Sequence, residues 1–190
     1  ISFNMLFLEE IWSRNFTNLF IAPLKLKEIV VALIFTALVR TLIGLVPAIL
    51  LTSPLFGVSI LKLGLPLLLL FLSLYIFGIT LGLFVSAGLI RFGPSFENIA
   101  WSSLFLLAPL GCIYYPIEIL PDFFQIIAKS LPLVYIFDEA RNILLNGFVN
   151  YENLRQAYYL NLAYLAFGIF LFYSSFLKAR IKGTLINMGE

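Results

Sequence analysis

An all-α, polytopic membrane helical bundle is the fold class this sequence predicts, and three observations carry the prediction. First, 62% of the 190 residues are hydrophobic and only 12% are charged, whereas soluble chains carry about twice that charged share. Second, the mean hydropathy is +1.03, which is more apolar surface than one core of this size could hide. Third, the apolar residues gather into runs, and a helix of about 20 such residues crosses roughly 30 Å of hydrocarbon.

Residues 1–8, "ISFNMLFL", lack the basic opening and small-residue cleavage site of a signal peptide. They read as the end of a preceding span, with further hydrophobic segments expected upstream. Residues 9–22 are polar and amphipathic. Trp12, Phe16, Leu19 and Phe20 recur at i, i+4, i+7 and i+8, on one helical face. Glu9 and Glu10 lead the stretch, where acids suit the helix dipole, and Pro23 closes it. Such a helix either floats on lipid headgroups or is gripped by a cytoplasmic partner; the spacing fits both.

Four spans follow. Residues 29–51 contain Arg40 and Pro47. Residues 65–90 are uncharged, with Pro66 in the first turn, where its missing N–H is not needed. Residues 99–113 are short for a span and interrupted by Pro109 and Gly111, and residues 156–177 are uncharged. Lys and Arg set the orientation. With residues 9–27 inside, Arg14, Lys25, Lys27, Arg91 and the "KARIK" run fall on the cytoplasmic side, leaving Lys62, Lys129, Arg141 and Arg155 outside. Both ends are then expected in the cytoplasm, with the chain multi-pass in the cell inner (plasma) membrane.

Residues 116–147 then lie on the outer side, too apolar for a free loop and too broken by Pro116, Pro121 and Pro132 to cross. Asp122 is placed to cap a short helix running to Lys129, with Phe123, Ile126 and Ile127 as its apolar face. Pro132 ends that helix. A second runs from Val134 to Asn146, and Gly147 supplies its left-handed stop. Helices this short cannot span. They dip into the outer leaflet as a re-entrant hairpin, provided protein or water meets the broken backbone, or they lie flat on the bilayer.

A mid-span Arg40 costs at least about 2.5–3.5 kcal/mol on insertion scales, so it should face protein or water. No Asp or Glu lies within the four spans. Its partner is then backbone carbonyls, a helix missing from this sequence, a second protomer or an anionic substrate. Gly78, Gly82 and Ser86 form a small-residue stripe suited to close helix packing. Trp101 either lines a path for an amphiphilic cargo or sits at the interface as aromatics do. Asp138, Glu139 and Arg141 read as the solvated face of an outer helix, with Asp138 and Arg141 spaced to pair.

The chain order is a helix ending in "NLFIAPLKLKE", then "RFGPSFENIAW", "YYPIEILP" and "LPLVYIFDEARNILLNG" before a last span. This order resembles the membrane subunit of the ABC-2 family of ATP-binding-cassette transporters, the permeases of drug, lipid and polysaccharide exporters. The resemblance covers nearly the whole chain. It implies a six-helix protomer, with the first helix and most of the second expected upstream. It makes residues 9–22 a coupling helix, resting through Glu9, Glu10, Trp12, Phe16, Leu19 and Phe20 on a separate ATP-binding-cassette ATPase subunit. It also implies a second permease protomer, as homodimer or heterodimer, and an outer gate marked by Pro116, Pro121, Pro132 and Arg141. Arg40 and Trp101 are the pathway candidates. Arg91-Phe92 stands where some members carry an Arg-Asp pair.

A net charge of +2 gives no reason to expect nucleic acid. One Cys and no His leave no internal disulfide and no recognisable zinc or haem ligand set. No phosphate-binding GxxxxGK[ST] loop is present. The expected function is a permease exporting a drug, lipid or glycan-like substrate by alternating access, with ATP hydrolysed by a partner and no catalytic, cofactor or metal residues of its own. The alternative is a membrane-embedded lipid-modifying enzyme or scaffold, resting on Arg40 and the Asp138, Glu139 and Arg141 cluster.

Overall fold

The longest apolar runs become the longest helices. The computed structural model describes residues 2–13, 25–56 and 64–182, and among them every regular element is helical. They are α1 (Ser2–Trp12), α2 (Leu26–Phe56), α3 (Leu65–Phe92), α4 (Glu97–Leu110), α5 (Asp122–Lys129), α6 (Pro132–Asn146) and α7 (Tyr151–Lys182). Single 3-10 turns at Pro94–Phe96 and Ile117–Ile119 precede α4 and α5.

Three helices, α2, α3 and α7, are long and apolar enough to cross a membrane, where the sequence predicts four spans. The expected span at residues 99–113 is the 14-residue α4, about 21 Å long at 1.5 Å per residue. It stops because the chain turns over at Gly111 and Cys112, whose N–H groups reach back to Leu107 O and Pro109 O. Cys112 takes the left-handed region at φ 52°.

Other boundaries move for local reasons. α1 runs without a break through residues 8 and 9, so the expected division there is not a helix boundary. Residues 14–24, which include Phe16, Leu19 and Phe20, lie outside the described residues. α2 starts early because the Glu28 carboxylate accepts the Lys25 backbone N–H at 2.9 Å, half of a capping box. α7 starts at Tyr151 because Asn150 Oδ1 accepts the Glu152 N–H at 3.0 Å, which brings Arg155 inside the helix. Asp122 is not the cap of α5. Pro121 holds that position, and no side chain bonds the free N–H groups there. Pro132 opens α6, preceded by an extended Leu131, and Gly147 at φ 74° closes it.

The described residues fall into two units. The first holds Ile1–Lys62, Gly78–Glu97 and Gly168–Glu190. Its core is Phe3, Leu6, Phe7 and Leu8 of α1 with Leu83, Leu89 and Ile90 of α3 and Phe172 and Phe176 of α7. Phe7 meets Phe172 edge to face at 6.2 Å. The second unit holds Leu63–Phe77 and Asn98–Phe167. One cluster joins Leu70 to Ile136, Ile143, Leu154 and Ala157, and another joins Cys112, Ala128 and Val134.

Candidate functional site

In the first unit, polar chemistry gathers where α1 ends. Arg40 Nη1 donates to Glu9 Oε1 at 2.8 Å and Nη2 to Oε2 at 3.1 Å, a two-pronged ion pair of the kind that matches guanidinium to carboxylate. Sequence reading placed Glu9 on the partner-docking face; here it is the counter-ion of Arg40. The two side chains remain 47% and 44% exposed. A charge in mid-span needs protein or water beside it, so this face is not one that hydrocarbon tolerates. Nearby, Trp12 Nε1 donates to Glu97 Oε2 at 3.1 Å, and the indole is half-exposed.

Of the small-residue stripe, Gly82 lies under the Phe3 ring, where any Cβ would collide with it. Ser86 is buried, and its hydroxyl has no partner among the described residues. Gly78 is partly buried. Further along the helix, Gly88 lies under Phe96 in the same way as Gly82 under Phe3.

In the second unit, α5 and α6 form a hairpin whose loose backbone ends are met by side chains. Tyr115 donates to Pro109 O at 2.8 Å, Gln125 to Leu120 O at 2.8 Å, Tyr135 to Lys129 O at 3.0 Å and Tyr164 to Ser130 O at 3.1 Å. Arg141 Nη1 donates to Cys112 O at 2.7 Å, clamping the one non-glycine left-handed residue among those described. The Cys112 side chain is fully buried, and buried cysteines are inert as nucleophiles. Phe123 and Ile126 of α5 face outward, uncovered. Pro116 and Pro121 are exposed at the turns and Pro132 is buried. Trp101, half-buried, belongs to this unit, whereas Arg40 belongs to the first.

The expected solvated face of α6 needs correction. Glu139 is fully buried. Its Oε1 accepts the Asn150 N–H at 2.7 Å and its Oε2 accepts from Asn153 at 3.3 Å, tying α6 to the start of α7. Periodicity could have found it, since Ile136 and Ile143 flank it at i−3 and i+4 on the buried face. Asp138 and Arg141 do pair, at 3.4 Å. They stand on the wall of a cavity of about 510 Å³. A second missed feature is Asn161, whose amide donates to Ser73 Oγ at 2.8 Å and to Ser73 O at 3.0 Å inside the bundle.

No family model matches the chain, and neither a curated protein nor a solved structure matches it. The functional reading therefore rests on the residues themselves.

Proposed function

We propose that the chain is the membrane-spanning permease subunit of an ABC-2 type exporter in the cell inner membrane, with both ends in the cytoplasm. Two copies, or one copy and a homologue, form the pathway. A separate ATP-binding-cassette ATPase supplies the work, and ATP-driven closure of its subunits favours one access state over the other. The cargo is a drug, lipid or glycan-like amphiphile.

The observation that carries this reading is the hairpin directly ahead of the 32-residue α7. Its helices of 8 and 15 residues are too short to span. Yet tyrosine, glutamine and arginine side chains meet its open carbonyls, the condition under which broken backbone is tolerated at membrane depth. With Phe123 and Ile126 uncovered, the pair suits a re-entrant outer gate, with Pro116, Pro121, Pro132 and Arg141 at its turns and clamp. The half-exposed Glu9–Arg40 pair suits the wall of a wet pathway. Glu10 and Trp12 follow within one helical turn of the Glu9–Arg40 pair, and the Trp12 indole is bonded to Glu97, so the docking role falls to Phe16, Leu19 and Phe20. The lipid-enzyme alternative is weakened, because its supporters are engaged in structural bonds: Arg40 with Glu9, and Glu139 with the start of α7.

The test is co-purification with an ATP-binding-cassette ATPase, sought first in the neighbouring reading frame. Phe16→Asp is expected to reduce complex recovery and transport-coupled ATPase by on the order of tenfold, as loss of a buried aromatic anchor does. Unchanged recovery and coupling would remove the docking role of residues 9–22.

A further inference from the structure

We infer that the cavity beside α6 binds a neutral, polyhydroxylated ring, a saccharide unit, whether free or as a lipid headgroup. The inference concerns the second unit alone and holds whether or not the chain moves cargo. The site is an open groove rather than an enclosed cavity, and its volume, about 510 Å³, lies within the range of small-molecule sites.

The wall chemistry selects the class. Asp138 and Arg141 line the cavity as a mutually neutralising pair, so an anion would meet the carboxylate and a cation the guanidinium. The remaining polar lining is amide. Asn146 Nδ2 donates to Asn142 Oδ1 at 2.7 Å, which leaves the Asn142 NH₂ and the Asn146 carbonyl uncommitted among the described residues. Asn153 Nδ2 is shared between Asp138 and Glu139, leaving its carbonyl. Asn150 Oδ1 holds the Glu152 N–H, leaving its NH₂. Two donors and two acceptors with no net charge match hydroxyl groups, each of which gives and takes a hydrogen bond. Phe148 and Leu145 line the same cavity and are exposed, an apolar surface for the C–H face of a sugar ring. The buried Glu139 accepts the Asn150 backbone N–H and the Asn153 side-chain amide, so the Asn153 amide and the backbone at Asn150 are pre-organised.

The experiment places the whole chain in nanodiscs of phosphatidylethanolamine and phosphatidylglycerol, which carry no sugar, and follows maltose by saturation-transfer NMR. Saturable transfer to the maltose ring protons is expected. Asn142→Leu and, separately, the exposed Phe148→Ala should each weaken it by about tenfold, the loss of one or two contacts, while the helical circular dichroism signal stays intact. Competition by a glucosyl-diacylglycerol added to the nanodisc would assign the headgroup as source, and its absence a free saccharide. No transfer to maltose, equal transfer in both variants, or tighter binding of phosphocholine than of maltose would overturn the inference.

Discussion

Helices α2 and α3 reach the same mean hydropathy, yet 6% of the apolar window is buried in α2 and 44% in α3. The difference shows at the glycines. α3 offers Gly82 and Gly88 as seats for Phe3 and Phe96, whereas Gly44 of α2 has nothing within 4 Å. A lipid tail is as apolar as leucine, so an oily helix gains little by meeting another helix. Close approach and matched shape are what hold two together. α2 leans on α1; Ala37 is its one buried hydrophobic residue among those described, and Phe35, Ile43 and Leu55 are exposed. Its departure from apolarity is Arg40, and α1 supplies the counter-ion.

A pair of leucines is the strongest way to break that contrast. Gly82→Leu drives a side chain into Phe3 and is expected to cost about 3 kcal/mol. Gly44→Leu should stay within about 0.5 kcal/mol. Thermal unfolding in detergent, followed by size-exclusion chromatography, compares them; equal losses would mean that α2 is as tightly enclosed as α3. A double-mutant cycle at Arg40 and Glu9 comes next. Either leucine substitution alone leaves a partnerless charge and should lower the melting temperature, and the combined variant should recover most of the loss. Strictly additive losses would show that the two charges do not work as a pair. The smallest effect is expected inside the bundle. Asn161→Ala should cost about 1 kcal/mol, typical of hydrogen bonds between membrane helices. Ser73→Ala on top of it should add little, because the two residues share a bond. A further full loss from Ser73→Ala would mean that its hydroxyl has another role.

The helical class, the positions of α2, α3 and α7, and the stop at Gly147 were legible in the chain. Each depends on local facts: run length, a proline's missing N–H, a glycine's freedom at positive φ. The fourth span was misjudged because Ile113 and its neighbours are apolar, and hydropathy does not register the turn at Gly111 and Cys112. The pairing of Glu9 with Arg40 was missed because the two lie 31 residues apart, beyond any helical period. Glu139 was set among solvated charges because Asp138 and Arg141 beside it hid its place on the Ile136–Ile143 stripe.

Composition was enough to make lipid the solvent, since an excess of apolar side chains has nowhere else to go. Turn residues were enough to say where helices stop, because those preferences act within a few bonds. Which oily helix is enclosed, which carboxylate answers Arg40, and which amides are left to line a cavity required the fold. Those outcomes depend on distances between residues far apart in the chain, and a bilayer that treats all apolar surfaces alike leaves shape and charge pairing to choose among them.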